Sequence, residues 1–567
     1  MVSQITKLIN RVNLGGLLAY LSVFAVLTAT AAPLPNSGTV IQSIPPQSTP
    51  QKALPKLPES GLQQNNNDDS DSPKIIVKHL KFDGNTVYSE AILIKVLGFK
   101  DSLENPFSIN ELKNLANQIT NYYRKNGYFL TQAYLPPQDL VDGTILIKVL
   151  EGKYGHIKFQ NNTKIKDLVI KNTTQDLKTG ALIDMQGLER TLLLLNDLPS
   201  AIVKSNLKPG TAVGSSDIDF LLERISSVNG YATLDNSGNT YTGANRLGIQ
   251  VNLNEMAGLG DSLSFYGLKS SGGMRYSRLS YQIQPSVLRY GLSHTEVEYS
   301  LGGKFVSLEA HGTMDINSAN IGYPIIRSRD RNVTIQANLD YKQAHDTIDS
   351  LLTFTDKKVN VFYVQLLGDF KDNWLSASET HYTFSVSSGQ VKIQSATALL
   401  ADNSTAQSNG RYRKANLTLN RDQTVGETIF SAALTAQYAS KNMDATEKML
   451  LGGPSGVRIY PVGEGTGDQG YLASLESKTI VNRWSPLPGL TQAGAFIEKG
   501  SVVFAKNPWA TGNNSETLSD VGISLHWTKP EQGVQGSVYF AHKLTNYVAT
   551  SATDANWRLW ATLTKYF

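Results

Sequence analysis

From residue 228 to residue 567 apolar and polar side chains keep changing places, and strict alternation admits little besides β-strands with two unlike faces. Leu247, Ile249, Val251 and Leu253 alternate with Arg246, Gly248, Gln250, Asn252 and Asn254. Val297, Tyr299 and Leu301 alternate with Glu296, Glu298 and Ser300. Val333, Ile335, Ala337, Leu339 and Tyr341 alternate with Asn332, Thr334, Gln336, Asn338 and Asp340. One such strand fits a soluble sandwich equally well. Persistence over about 340 residues does not, because soluble β domains seldom exceed about 250. The pattern predicts a transmembrane β-barrel with a lipid-facing exterior and a wet interior. At about 20 residues per strand and connection, 16 is the even strand number that fits. Glu296 and Glu298 are expected to wet the pore.

The rest of the composition permits this. Beyond the N-terminus no apolar run reaches the roughly 20 residues of a membrane helix. With no cysteine the chain has no disulfide, thiolate zinc site or cysteine nucleophile, and a net charge of +4 points to no nucleic-acid partner. Lys7 and Arg11, an apolar run over 14–27 and Ala29-Thr30-Ala31 form the pattern of a secretory signal, placing a signal peptide at 1–31. Proline and polar residues dominate 32–73, which reads as a linker without an amphipathic helix.

Order begins at Lys74. Residues 75–82 read as one strand, 89–97 as a short helix, and 108–126 as a longer helix opened by a Ser108/Glu111 capping box. Strands at 130–135 and 144–151 complete a β-α-α-β-β unit over 74–152. The same order recurs over 153–227, in segments 155–159, 165–171, 184–196, 201–207 and 216–222. Element order and size resemble a pair of POTRA domains, the periplasmic modules of outer-membrane protein-handling machines. The fold class is therefore α+β POTRA-like domains followed by an all-β barrel over 228–567.

Within the barrel, residues 451–470 include seven glycines, with Val457-Arg458-Ile459-Tyr460 between Pro454 and Pro461. Glycine and proline at this density undermine both helix and strand. The stretch is also too long for a hairpin turn, and long loops in compact proteins are usually functional or disordered. A loop over about 439–470 that folds back into a cavity, carrying Arg458 with it, is the expectation. The chain ends on Trp557-Arg558-Leu559-Trp560-Ala561-Thr562-Leu563-Thr564-Lys565-Tyr566-Phe567, apolar mostly at odd positions. It is similar to the terminal strand by which outer-membrane barrels are recognised for insertion, with Phe567 as the signal and Lys565 breaking the alternation.

Signal, linker, paired POTRA-like units and barrel together resemble a two-partner secretion transporter, of the hemolysin-activator and filamentous-haemagglutinin exporter family. Residues 230–238 with Tyr241-Thr242-Gly243 resemble that family's approach to its first barrel strand, and 259–263 its next turn. Val457-Arg458-Ile459-Tyr460 is similar to the family's V-R-G-[FY] loop tip, with Ile459 in place of glycine. Gly467-Asp468-Gln469-Gly470 resembles its glycine-rich exit. The resemblance implies that the tip arginine meets an acid in an F-x-D-x-G strand. Phe496-Ile497-Glu498-Lys499-Gly500 takes that place, with glutamate for aspartate. A lumen-facing guanidinium can hold a carboxylate by two parallel hydrogen bonds. From residue types alone, a solvated Arg458 and an ordinary lumen acid at Glu498 is the simpler reading.

The implied function is an outer-membrane protein-conducting pore. It would recognise an unfolded secreted partner through periplasmic POTRA domains and pass it to the cell surface without ATP. The implied partners are one large exoprotein (a hemolysin, adhesin or contact-dependent toxin), outer-membrane lipid, and the barrel assembly machinery. A barrel-assembly factor is the alternative, though such relatives usually carry more POTRA units. A passive porin or adhesin is a second, with no use for two folded periplasmic modules. No enzyme, catalytic residue, cofactor or metal is expected. Gly465 to Gly470 formally fits G-x-G-x-x-G, but a strand follows where a dinucleotide site needs a helix. There is no H-E-x-x-H, P-loop or G-x-S-x-G.

Overall fold

The computed structural model describes residues 34–44, 54–57, 73–100, 105–482 and 487–567. The expected signal peptide and most of the linker lie outside these described residues. Sixteen antiparallel strands close into a barrel, each beside its neighbour in the chain, from Val228–Asp235 to Trp557–Tyr566. The alternation works as expected on most strands. Along Arg246–Asn254, Leu247, Ile249 and Leu253 are exposed on the outer wall while Arg246, Gln250 and Asn252 are buried inside. Such an exterior belongs in hydrocarbon, and closure pairs the sheet's two edges with each other along part of their length.

One polarity assignment is corrected. On Arg289–Ser300, Glu296 and Glu298 point outward and are exposed, whereas Val297 and Tyr299 are buried inside. The same outward row carries Leu292, 64 % exposed, lower on the strand. The strand outruns the apolar belt, so its outer face turns polar at the far end while its inner face packs against a buried cluster. Alternation alone does not say which face is which.

The seam is short. The last strand pairs with the first only from Thr562↔Asp235 to Tyr566↔Tyr231. Phe567 then exchanges both backbone hydrogen bonds with Gly230, each 3.0 Å. A Cβ on Gly230 would lie 2.8 Å from the Phe567 ring, so glycine makes room for the C-terminal side chain. Lys565 sits at the rim, where its amine donates to the Gln532 carbonyl.

The first periplasmic module differs from expectation at its start. Residues 74–82 form two strands, Lys74–Val77 and His79–Asp83, in different sheets. Lys74–Val77 pairs with an additional strand, Asn105–Ser108, disguised in the sequence by Pro106. His79–Asp83 runs parallel to Thr144–Leu150, which also takes Gln132–Tyr134 on its other side. Helices Glu90–Leu97 and Ile109–Lys125 cover this sheet, the second opened by the Ser108/Glu111 box (Glu111 N–H to Ser108 Oγ, 3.2 Å; Ser108 N–H to Glu111 Oε2, 2.6 Å). The second module has helices Asp167–Thr173 and Met185–Asn196 with strands Lys153–Asn162, Ala201–Pro209 and Ser215–Arg224. It rests on the barrel's turns: Asp197 accepts from Arg289 at 2.7 Å and from Arg327 at 2.7 and 2.9 Å, and Arg190 donates to the Pro324 carbonyl at 2.8 Å. This contact sets the barrel's periplasmic end. The long connections 440–468 and 544–556 leave from the opposite end.

A helix also stands where the composition predicted none. Ser37–Gln42 carries a capping box at Asn36 and lies inside the barrel. Ser37 donates to both oxygens of Asp346, from N–H at 2.9 Å and Oγ at 3.0 Å, and Val40 joins a buried cluster with Tyr266, Tyr276 and Tyr299. Residues 54–57 are back at the periplasmic end, where Leu57 packs on the core of the second module. A six-residue helix has no stability of its own; tertiary packing holds it.

Candidate functional site

The connection 440–468 turns into the lumen in two limbs. The first is held by buried ion pairs. Glu447, 3 % exposed, bridges Lys342 at 2.6 Å and Lys414 at 2.7 Å, and Asp444 pairs with Lys357 at 3.0 Å. Helix Ser37–Gln42 is seated on this limb: Gln42 Nε2 donates to the Ala445 carbonyl at 2.8 Å, and a Cβ on Gly38 would lie 2.6 Å from Thr446 N.

The second limb is a hairpin closed by Met449–Leu450 against Thr466–Gly467. At its exit Asp468 is fully buried and accepts from Met443 N–H at 3.0 Å, Lys506 N–H at 2.8 Å and Lys448 Nζ at 2.5 Å. Gly470 stands in the following strand, where a Cβ would press to 2.2 Å from the Ser501 carbonyl. Further along the limb, Glu464 accepts from Tyr547 Oη and from the N–H and Oγ of Thr550 and Ser551, all within 2.9 Å. The limb is thereby tied to the last outer connection.

At the tip, Val457, Ile459 and Tyr460 are buried to 1 % exposure or less, against Phe496, Leu518 and Ala541. The wall residues packed against these three side chains are apolar and aromatic. Gly456 is needed for the fold of the tip, because a Cβ there would meet the Leu451 carbonyl at 1.9 Å. Ile459 does not require glycine: its φ is not positive, and its side chain fills the apolar nest.

Arg458 points between two strands. Its Nη1 lies 3.0 Å from Glu498 Oε1, and its guanidinium carbon lies 4.3 Å from the ring centres of both Phe496 and Tyr539. The expected parallel pair of hydrogen bonds is not formed. The Nη1 contact is an ion pair out of hydrogen-bond alignment, and it is the backbone N–H of Arg458 that donates to Glu498, at 2.9 Å. Glu476 stands 4.0 Å from Nη2 as a second carboxylate, itself accepting from Ser524 at 2.6 Å. The motif on Leu490–Val503 acquires a reason at each residue. Phe496 stacks on the guanidinium, Glu498 takes its charge, and Gly500 leaves space for Leu451, whose Cδ2 would be 2.7 Å from a Cβ there.

Five neighbours were missed in the sequence, Glu476 being the first. Asp520, directly opposite Glu498 in the register, accepts from Ile459 N–H at 2.7 Å. Trp560 and Arg558 of the last strand donate to the carbonyls of Arg458 (2.6 Å) and Ile459 (2.8 Å), and Tyr539 covers the guanidinium. Only strand register brings these residues together. The one available signal was that Glu498, Asp520, Arg558 and Trp560 all fall on the inward phase of their strands.

Among the described residues, His294, Glu296 and Asp315 bring possible metal-ligand atoms within 4.8 Å of one another, on the outer wall. Both His294 ring nitrogens are already engaged, by Asn317 Oδ1 at 2.9 Å and Glu296 Oε1 at 3.1 Å.

Two family models match: "POTRA domain, ShlB-type" over residues 75–152 and "Haemolysin secretion/activation protein ShlB/FhaC/HecB" over residues 214–491. The chain is similar to the heme/hemopexin transporter protein HuxB of Haemophilus influenzae (strain 86-028NP), 27% identical over 439 residues, covering 76% of this chain and 77% of that one. It is similar to the outer membrane transporter CdiB of Dickeya dadantii (strain 3937), 23% identical over 393 residues, covering 64% and 65%. In fold it resembles the solved structure of CdiB from Escherichia coli, with a TM-score of 0.71 and 18% identity over 89% of this chain and 93% of that one.

Proposed function

Because the chain belongs to the haemolysin secretion/activation (ShlB/FhaC/HecB) family of two-partner secretion transporters, integral to the outer membrane with POTRA domains in the periplasm, we propose that it exports one large unfolded exoprotein through its barrel. The partner docks on the POTRA domains by adding a strand to an exposed sheet edge, with pockets beside the helices for its side chains. The hairpin carrying Arg458 and helix Ser37–Gln42 then leave their seats, and the chain passes through. No ATP is needed. Folding outside, worth about 5–15 kcal/mol for an ordinary domain, supplies the bias.

The observation that carries this reading is a barrel obstructed by its own chain through releasable polar contacts around Arg458 and Glu498, 3.0 Å apart. A passive porin has no use for such an obstruction. The HuxB match is longer and closer than the CdiB match, so a heme- or hemopexin-handling cargo is the first to test.

The test compares culture supernatants of wild-type, deletion, Arg458→Glu and Glu498→Arg strains. One large polypeptide missing from the deletion strain, and lost in both reversals while the barrel still inserts, is the expected result. Depletion of many outer-membrane proteins would favour an assembly factor instead. Normal export by both single reversals would remove the role given to the pair.

A further inference from the structure

On three successive strands, Thr353–Asp372, Ser378–Ile393 and Gly410–Val425, the outward residues change from apolar to polar and cationic, with one acid, Asp356, next in the row beyond Lys358 and itself held by His345. Phe362 and Val364 give way to Asn360 and Lys358; Phe384 and Val386 to Ser388, Gln390 and Lys392; Leu417 and Leu419 to Arg413 and Arg411. Register sets Lys358 opposite Lys392, Gln390 opposite Arg411, and Ser388 opposite Arg413. Like charges directly opposite on paired strands are destabilising. Among the described residues none of these four side chains has an ion pair or hydrogen bond to offset that. The charge is local and not a ring around the barrel, since Asp315 and Glu296 make the same outer zone acidic two and three strands away.

Beside the cations lies a groove of about 580 Å³. Leu292, Leu339 and Phe362 form its apolar side, and Asn360, Gln390 and Arg411 its polar side. The cationic ends of the second and third strands lead into connection 394–409 and that of the first into 349–352, both at the barrel end opposite the periplasmic modules. In a membrane, that level is the boundary between acyl chains and headgroups of the outer leaflet. Long basic side chains above an apolar wall suit an anionic headgroup there, each cation near a charged lipid surface contributing about fivefold in binding.

We propose that this face of the barrel binds the phosphate-bearing headgroup of an anionic outer-leaflet lipid. Its phosphates sit among Lys392, Arg411 and Arg413, and its acyl chains lie along Phe362, Leu339 and Leu292. A phosphate beside Lys392 also offsets its repulsion from the facing Lys358, so the lipid steadies the wall at strands 353–425. This surface is separate from the lumen and does not depend on how export is gated.

The test uses the full-length transporter, purified in neutral detergent, with bound lipid counted by native mass spectrometry. The probes are bis-phosphorylated lipid A, the same lipid dephosphorylated, and inorganic phosphate. Variants are Lys392→Gln/Arg411→Gln/Arg413→Gln, the corresponding triple glutamate, and Arg275→Glu as a control on another part of the outer wall. Heat-modifiable migration reports barrel folding, and the glutamine variant decides the matter if the glutamate one does not fold. Expected is binding of the phosphorylated lipid at least roughly tenfold weaker in the glutamine triple and unchanged in Arg275→Glu. The dephosphorylated lipid should bind all proteins equally weakly. Equal binding by wild type and the glutamine triple overturns the proposal. So does effective competition by millimolar inorganic phosphate, or co-purification of a second protein on this face in place of lipid.

Discussion

Replacing Arg458 by alanine should free the lumen hairpin far more than replacing its partner Glu498, although the two share one ion pair. Removing Arg458 strands Glu498, 2 % exposed, beside Asp520, fully buried, with no cation left against Glu498. Breaking a buried pair in this way costs about 3–5 kcal/mol. Two guanidinium–ring contacts at 4.3 Å go with it, at about 0.5–1 kcal/mol each, for a total of about 4–7 kcal/mol. Removing Glu498 instead leaves Arg458 between its rings with Glu476 only 4.0 Å away, and orphans one backbone N–H, a loss of about 2–3 kcal/mol. The chain has no cysteine, so Val462→Cys, buried at 5 % exposure, gives a single reporter inside the hairpin. Maleimide labelling in intact cells should run a thousandfold or more faster with Arg458→Ala and roughly a hundredfold faster with Glu498→Ala, at about 1.4 kcal/mol per tenfold. The double variant should label more slowly than Arg458→Ala alone, because the stranded carboxylate is gone. Equal acceleration by the two single variants, or no recovery in the double, would refute this account of the pair.

Gly500→Val should unseat Leu451 and block hairpin docking while leaving barrel insertion intact, read as faster labelling at position 462 with unchanged heat-modifiable migration. Trp560→Phe removes the donor to the Arg458 carbonyl and should loosen the tip by about 1–2 kcal/mol, roughly five- to thirtyfold in the same labelling assay. Deleting residues 34–44 takes away the helix seated on Asp346 and Ala445 and should raise ion conductance in planar bilayers; unchanged conductance would mean that the helix does not obstruct the pore. Tyr123→Phe in the first POTRA domain withdraws a 2.8 Å hydrogen bond from buried Glu151 and should lower that domain's thermal midpoint, at a cost of about 1–3 kcal/mol.

The barrel was legible because alternation is a property of each strand by itself, and sixteen strands repeat it. What it left open was where each strand leaves the apolar belt, and Glu296 and Glu298 were placed inside for that reason. Arg458 and Glu498 could be singled out from local motifs. Asp520 could not, since its place opposite Glu498 is a matter of register between strands. The helix Ser37–Gln42 offers only Val40 and Ile41 to read, and its partners are more than three hundred residues away at Asp346 and Ala445. The apolar nest under the loop tip is similarly hidden, since Phe496, Leu518 and Ala541 each look like a lapse in an otherwise polar row.

The carbonyls of Arg458 and Ile459 are moored to Trp560 and Arg558, on the strand that closes the barrel against Val228–Asp235. A half-built cylinder lacks those moorings, so the stopper locks only once the wall is complete. Biogenesis and silence of the channel become one event, and a barrel released before its final staves meet would leak, exposing itself to whatever surveillance the envelope keeps.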